Sequence, residues 1–249
     1  MARNEMVLYG RNSVWERLKA NPQSIHKIFL QYNFKHPQIE DLIRANHLEK
    51  ERVSEQQLAK IKPTKDLQGI AARIEPFNYA IFDDLLTQDS PRKLTLLFLD
   101  RINDPQNLGV MIRTAACLGG FALVIPQFNA CEVTEAVLHV ASGGENYVPV
   151  ALVTNLAQAI TRAKKSGFWI VGAVVDGQSK NISEISLPFP LGLVLGSEGA
   201  GIRYGVDKLL DIKAHIPMAG AGLSFNVAVA CAICGYEIVK QRGKVEKDT

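Results

Sequence analysis

In one stretch of this 249-residue chain a carboxylate is set inside a glycine loop. The stretch reads Leu191-Gly-Leu-Val-Leu195-Gly196-Ser197-Glu198-Gly199-Ala-Gly201, an apolar run that breaks into glycine and small polar residues. A second does the same: Ile216-Pro217-Met218-Ala-Gly-Ala-Gly-Leu-Ser224-Phe225-Asn226, leading into the helical pattern 227–236. Such breaks mark the carboxyl ends of strands, where α/β proteins place ligands. Glycine loops often cradle phosphates, but Glu198 would repel a pyrophosphate. No Gly-Lys-Ser/Thr is present either, which excludes a P-loop. The internal carboxylate suits a cationic ligand without phosphate, and S-adenosylmethionine, an adenosine bearing a sulfonium, meets that description. A plain turn after a buried strand explains the same glycines, so the loop alone leaves both readings open.

The third informative stretch is Leu99-Asp-Arg-Ile-Asn103-Asp104-Pro105-Gln106-Asn107-Leu108-Gly109-Val-Met-Ile-Arg113. Here a strand ends and a helix begins, with Asp104 as N-cap and Pro105 at the first helical position. Leu108, Ile112, Ala115 and Leu118 form its buried stripe. Gly109 lies one turn before Arg113 on one face, where it weakens the helix by ~1 kcal/mol. Two explanations are open. Gly109 admits a substrate backbone beside the Arg113 guanidinium, or it permits close helix packing while Arg113 faces solvent.

These residues need a scaffold, and length and composition bound it. The chain is long enough for one large or two ordinary domains, and 47% apolar with 21% charged residues is ordinary globular usage. Its longest apolar runs are too short to span a bilayer, and the start, Met-Ala-Arg-Asn-Glu-Met, lacks a signal-peptide apolar core. A cytoplasmic protein is expected. Cys231 and Cys234 form a C-x-x-C, but within an apolar helical pattern, where thiols pack as small hydrophobes. Cys117 and Cys131 stand apart, and no His has metal-ligand spacing, so no metal is expected. Residues 1–76 hold 13 Lys and Arg against 9 Asp and Glu, whereas the remainder holds 15 against 16. The basic excess is therefore N-terminal. It is compatible with a nucleic-acid partner and equally with an ordinary solvated surface.

The pattern along the chain predicts a small α/β unit over 1–76, a connection over 77–92 with a short helix at 81–86, and a larger unit over 93–249. In the first unit, helices are expected over 11–18 and 37–45 and strands over 25–30 and 69–74. Ser54-Glu-Gln-Gln57 is a capping box opening a helix to residue 61. In the second, strands at 94–99, 122–125, 148–150, 168–175, 191–195 and 213–216 alternate with helices at 105–118, 132–140, 156–165, 203–210 and 226–241. Buried runs alternating with helices imply a mostly parallel sheet covered on both faces. The charged tail 242–249 is expected to fray.

Together the three stretches acquire an identity. Asn103-Asp-Pro-Gln-Asn-Leu-Gly-x-x-x-Arg113, Leu195-Gly-Ser-Glu-Gly-x-Gly201 and Ile216-Pro-Met-x(5)-Ser-Phe-Asn-Val-Ala-Val-Ala230 resemble, in order and spacing, the three motifs of the SpoU family. These are S-adenosylmethionine-dependent RNA ribose 2′-O-methyltransferases. Leu8-Tyr-Gly-Arg-Asn-Ser-Val and Leu67-Gln-Gly-Ile-Ala-Ala-Arg73 look like that family's substrate-binding domain, which is similar to a ribosomal-protein L30 or L7Ae fold. The N-terminal domain is most similar to that of members methylating a guanosine in the peptidyl-transferase loop of 23S ribosomal RNA. Two positions depart from the family's pattern: Leu67 stands where His is frequent, and Phe225 where Leu is frequent.

The resemblance implies a trefoil knot in the C-terminal segment, an exception to the usual threading rule, and a homodimer with active sites at the subunit interface. It implies in-line attack of a ribose 2′-oxygen on the sulfonium methyl. Arg113 would take the activating role. Since arginine stays protonated, that role is to bind the adjacent phosphate or the developing alkoxide. Asn107 would orient the helix start or the RNA, and Glu198 and Asn226 would fix the converging loops. Leu195, Gly196, Ser197, Gly199, Ile216, Pro217, Met218, Ser224 and Phe225 would complete the cofactor site. A nicotinamide oxidoreductase is disfavoured, because the 103–109 turn lacks a glycine fingerprint. A catalytically silent RNA-binding protein, or a methyltransferase for transfer RNA or antibiotic resistance, are the other readings.

Overall fold

The computed structural model describes residues 5–87 and 94–245. The polar segment 88–93, part of the expected connection, lies outside the described residues, as do 1–4 and 246–249. The N-terminal elements are β1 (Met6–Tyr9), α1 (Arg11–Ala20), β2 (Ile25–Gln31), α2 (Pro37–Ala45), β3 (Lys50–Val53), α3 (Glu55–Ile61) and β4 (Ile70–Ile74). Their sheet has the order β1-β4-β2-β3, antiparallel except for the β2/β3 pair. The capping box at α3 forms as expected, with Ser54 Oγ accepting from Gln57 N and Gln57 Oε1 from Ser54 N. Two short strands were absent from the expectation. β1 is only four residues long, and β3 is a mostly exposed, charged edge strand (Lys-Glu-Arg-Val) with no alternating apolar signal.

The chain continues through α4 (Phe82–Leu86), β5 (Thr95–Asp100), α5 (Pro105–Leu118), β6 (Phe121–Pro126), α6 (Glu135–Ala141), β7 (Val150–Val153), α7 (Leu156–Lys165), β8 (Trp169–Ala173), β9 (Lys180–Asn181), β10 (Leu191–Gly196), α8 (Tyr204–Asp207), β11 (Ile212–His215) and α9 (Val227–Val245). Seven parallel strands form the second sheet, in the order β7-β6-β5-β10-β8-β11-β9. The apolar strand runs follow from its two covered faces. On β5, Leu97 and Leu99 join one buried cluster and Leu96 and Phe98 the other, because successive side chains point oppositely. The first cluster lies under α5, α6 and α9, and the second under α4 and α7.

Three helices differ most from expectation. Thr134 caps α6, which therefore starts three residues later than the pattern suggests. α8 is a single turn over Tyr204–Asp207 instead of 203–210. α9 runs on to Val245, and Arg242 is not frayed: its guanidinium donates to the carbonyls of Gly119 and Gly120, each at 2.9 Å.

The two sheets are joined by a shared interior. The cluster holding Leu97 and Leu99 also holds Leu8, Val14 and Ile70. Across the junction Tyr9 stacks on His139 (centroids 4.3 Å apart), Ser13 Oγ donates to Leu138 O, and Arg17 pairs with buried Glu145 at 3.2 Å. Glu135 accepts from Val7 N and Lys62 Nζ, each at 2.5 Å.

Candidate active site

The floor of the site is the carboxyl edge of the parallel sheet, where β5 and β10 end side by side with Gly196 opposite Asp100. After β10 the chain closes a narrow loop, with Gly201 N donating to Ser197 O at 2.9 Å. Gly196 faces the Gly201 backbone so closely that a β-carbon there would collide with it. Two residues at the end of β5 hold this loop. Arg101, at φ 61°, donates to Gly201 O at 3.3 Å. Asp100, fully buried, accepts from Arg203 N and Arg203 Nε at 2.7 Å each. Sequence reasoning missed all three of these. The only available signal was an Asp-Arg pair at the end of an apolar strand.

The loop after β11 meets the first loop through one carboxylate. Glu198 Oε1 accepts from Asn107 Nδ2 at 3.1 Å and from Asn226 Nδ2 at 2.8 Å. Asn226 Nδ2 also donates to Asn107 Oδ1 at 2.9 Å, while its own Oδ1 accepts from Ala228 N and caps α9. The structure thus draws residues 107, 198 and 226 from three distant stretches into one hydrogen-bonded cluster. A charged acceptor holding two amide donors is stronger than a neutral one.

Behind this cluster opens a cavity of about 360 Å³. From the first loop it is lined by Leu195, Gly196, Ser197, Glu198 and Gly199, and from the second by Ile216, Met218, Ser224 and Phe225. Pro217 and Asn226 do not line it, and Asn226 reaches it only through Glu198. The end of β8 adds a wall the sequence did not reveal, Ala173 to Val175. Met218, Phe225 and Val175 are apolar yet 40%, 42% and 75% exposed, as expected of walls that await a ligand. The chemistry is a mostly apolar slot with a single carboxylate at its edge, suited to a flat ring system joined to a positively charged group.

Arg113 lies elsewhere. It is exposed on α5 and lines a separate cleft between that helix and the N-terminal segments. Gly109 serves close packing: a β-carbon on it would sit 2.6 Å from Val140 Cβ of α6. Of the two explanations for this glycine, helix packing is therefore the one realised. The C-x-x-C is core, as its apolar setting suggested. Burial pushes the Cys231 and Cys234 thiols up to about 12. Among the described residues no group of three or more His, Cys, Asp or Glu is arranged to hold a metal, and no helix is long and apolar enough to cross a membrane.

A buried parallel sheet with a ligand slot at its carboxyl edge defines a nucleotide-cofactor type of α/β enzyme. Comparison with known proteins makes this specific. Residues 94–236 match the model of the SpoU rRNA Methylase family, and residues 7–80 match RNA 2′-O ribose methyltransferase substrate binding. A Staphylococcus saprophyticus protein assigned to the TrmH family of tRNA/rRNA methyltransferases is 36% identical over 245 residues, covering 97% of this chain and 98% of that protein. The 23S rRNA (guanosine-2′-O-)-methyltransferase RlmB of Nitrosomonas europaea is 34% identical, covering 97% and 94%. In fold, the chain is similar to the SpoU methyltransferase AviRb from Streptomyces viridochromogenes, solved in complex with AdoMet (TM-score 0.80, 21% identity, 96% and 91% covered). The chain belongs to the SpoU family. Its chemistry is transfer of a methyl group from S-adenosylmethionine to a ribose 2′-hydroxyl of RNA.

Proposed function

We propose that the acceptor is a guanosine ribose in the peptidyl-transferase loop of 23S ribosomal RNA, methylated in the cytoplasm by a homodimer. The observation that carries the site assignment is the Asn107–Glu198–Asn226 cluster at the mouth of the apolar slot. In this reading the adenine lies between Leu195, Ile216 and Phe225, with backbone of Gly196 and Gly199 and the Ser197 and Ser224 hydroxyls as polar partners. Glu198 faces the sulfonium side and holds the loops in register. The target is supported by the likeness to the Nitrosomonas enzyme across nearly the whole of both chains. A transfer-RNA guanosine is the second reading, compatible with the name of the Staphylococcus relative, which covers both transfer and ribosomal RNA.

A hydroxyl attacks poorly until its proton is drawn away, and positioning supplies much of the remaining barrier reduction. Arg113 binds the neighbouring phosphate or the alkoxide as it forms, stabilising charge that grows toward the transition state. Six residues separate Asn107 from Arg113 on α5, about 9 Å of helix. The donor slot and the Arg113 cleft are thus neighbours along one helix.

The N-terminal unit, residues 1–76, is assigned to RNA binding on an L30/L7Ae-like scaffold, joined through 77–92 to the methyltransferase unit, 93–249. The trefoil knot rests on the family resemblance, and the sheet order, with β10 between β5 and β8, is compatible with it. The homodimer reading draws support from α5 and α9, which pack side by side and leave Val110 on the first and Val229 and Tyr236 on the second 40%, 46% and 65% exposed. Mapping ribose 2′-O-methyls on total RNA from a strain lacking this protein tests the target. Loss of one methyl from 23S RNA is expected, and an unchanged map would overturn the assignment.

A further inference from the structure

Arg113 shares its cleft with a set of polar side chains that the donor site does not use. The cavity, about 370 Å³, lies where the N-terminal sheet meets α5 and α6, and its size falls in the ~300–1,000 Å³ range of small-ligand pockets. Asn12, Asp66 and Gln68 come from the N-terminal side, and Gln106, Arg113 and His139 from the other. Several of these are held in place with hydrogen-bonding capacity to spare. Gln68, at φ 52°, accepts from Arg11 N through Oε1 at 2.8 Å, which leaves its amide NH2 as a donor. His139 lies flat on Tyr9, and its Nδ1 is 3.1 Å from Tyr9 O. A carbonyl only accepts, so Nδ1 carries a proton in this contact. Among the described residues, the side chains of Asn12, Asp66, Gln106 and Arg113 have no hydrogen-bond or ion-pair partner.

The charge balance decides what fits. One guanidinium faces one carboxylate, and the rest are neutral amides and an imidazole. A path for several phosphates would be lined by cations, and Asp66 would repel it, so Arg113 can hold at most the one phosphate beside the acceptor ribose. Mixed amide donors and acceptors instead match the edge of an unstacked RNA base. A carboxylate narrows the match further. Guanine alone offers two adjacent donors, N1–H and N2–H, to one carboxylate, and its O6 and N7 accept from amide NH2 groups. We infer that this cleft reads the base of the methylated nucleotide as guanine, with Asp66 on N1–H and N2–H and Gln68 and Gln106 on the acceptor edge. Asp66 and Gln68 are thus specificity residues supplied by the N-terminal unit to a reaction carried out on the other. The inference rests on the reading of Arg113 as the group beside the acceptor ribose.

The test compares wild type with Asp66→Asn on the RNA fragment whose methyl is lost in the deletion strain. The fragment is prepared with guanosine or inosine at the methylated position, inosine lacking only N2–H. For wild type, inosine is expected to lower kcat/KM about tenfold, the size of a lost base contact. Asp66→Asn is expected to lower it similarly on guanosine and to add little on inosine, as in a coupled pair. Affinity for S-adenosylmethionine should be unchanged throughout. Equal rates on the two RNAs by wild type, or effects that multiply, would overturn base reading by Asp66 and leave the methyltransferase assignment intact. A wild-type enzyme that methylates neither RNA would instead overturn the acceptor assignment, and the cleft's role with it.

Discussion

The Asn107–Glu198–Asn226 cluster divides labour among single residues. None need touch the methyl group, yet together they fix two glycine-containing loops that would otherwise be free to adopt many conformations. Arg113 stands apart, and its contribution should be separable. Arg113→Ala is expected to lower kcat by about 10²–10³-fold, the usual loss on removing one group that stabilises developing charge. Affinity for S-adenosylmethionine should stay within about twofold, because Arg113 does not line the donor slot. Near-normal kcat in a folded variant would remove Arg113 from the chemistry. At this scale the sequence was informative about loops and poor about direction. Glu198 and Asn226 announced themselves by interrupting apolar patterns, whereas Asn107 stood out only through the family resemblance. That Arg113 would face a second cleft, or that Asp100 would hold Arg203, depends on how distant strands align, which local pattern does not encode.

Elements capped by their own neighbours were the most legible. α5, α7 and α2 begin where Asp104-Pro105, Asn155 and His36-Pro37 set them, since these residues satisfy orphan helix N–H groups locally or fix the first turn. α8 was overextended because its stop is tertiary, in a turn that delivers Asp211 to Ile170 N and Lys164. The packing of α5 on α6 makes a sharp prediction. Gly109→Ala removes a helix-weakening glycine worth ~1 kcal/mol but drives a methyl into Val140. Net destabilisation of about 1–3 kcal/mol is expected from overpacking, with partial recovery in Gly109→Ala/Val140→Ala, measured by urea unfolding. A stabilised single variant would contradict the close contact. In α9, thiols pushed up to about 12 by burial stay protonated at pH 8. Cys231 and Cys234 should therefore resist a thiol reagent until denaturant is added, whereas exposed Cys117 reacts in the native state. Prompt labelling of all four native cysteines would contradict a buried pair.

For the whole molecule, two sheets share one interior, and the ion pair of Arg17 with Glu145 sits at their junction with both side chains buried. Burial pushes the Glu145 carboxyl up from 4.5, and Arg17 only partly offsets this. The native state therefore holds that proton to higher pH than the unfolded chain does. Glu145's contribution to stability is most favourable below 4.5 and declines as pH rises through its raised value. Glu145→Gln does not titrate, so the wild-type advantage over it should be largest at low pH and narrow toward neutrality in denaturant unfolding. An advantage that widens with pH would contradict a raised value. This junction also builds the second cleft, which is why no single stretch of sequence could have disclosed it: Asp66 and Gln106 meet only when the two sheets dock.

The position of the bound methyl donor is the most direct test of the site. A crystal structure of the full chain with S-adenosylmethionine should place its adenine between Leu195, Ile216 and Phe225, with the sulfonium turned toward Glu198 and α5. Donor density at any other location, with that slot left open, would contradict it.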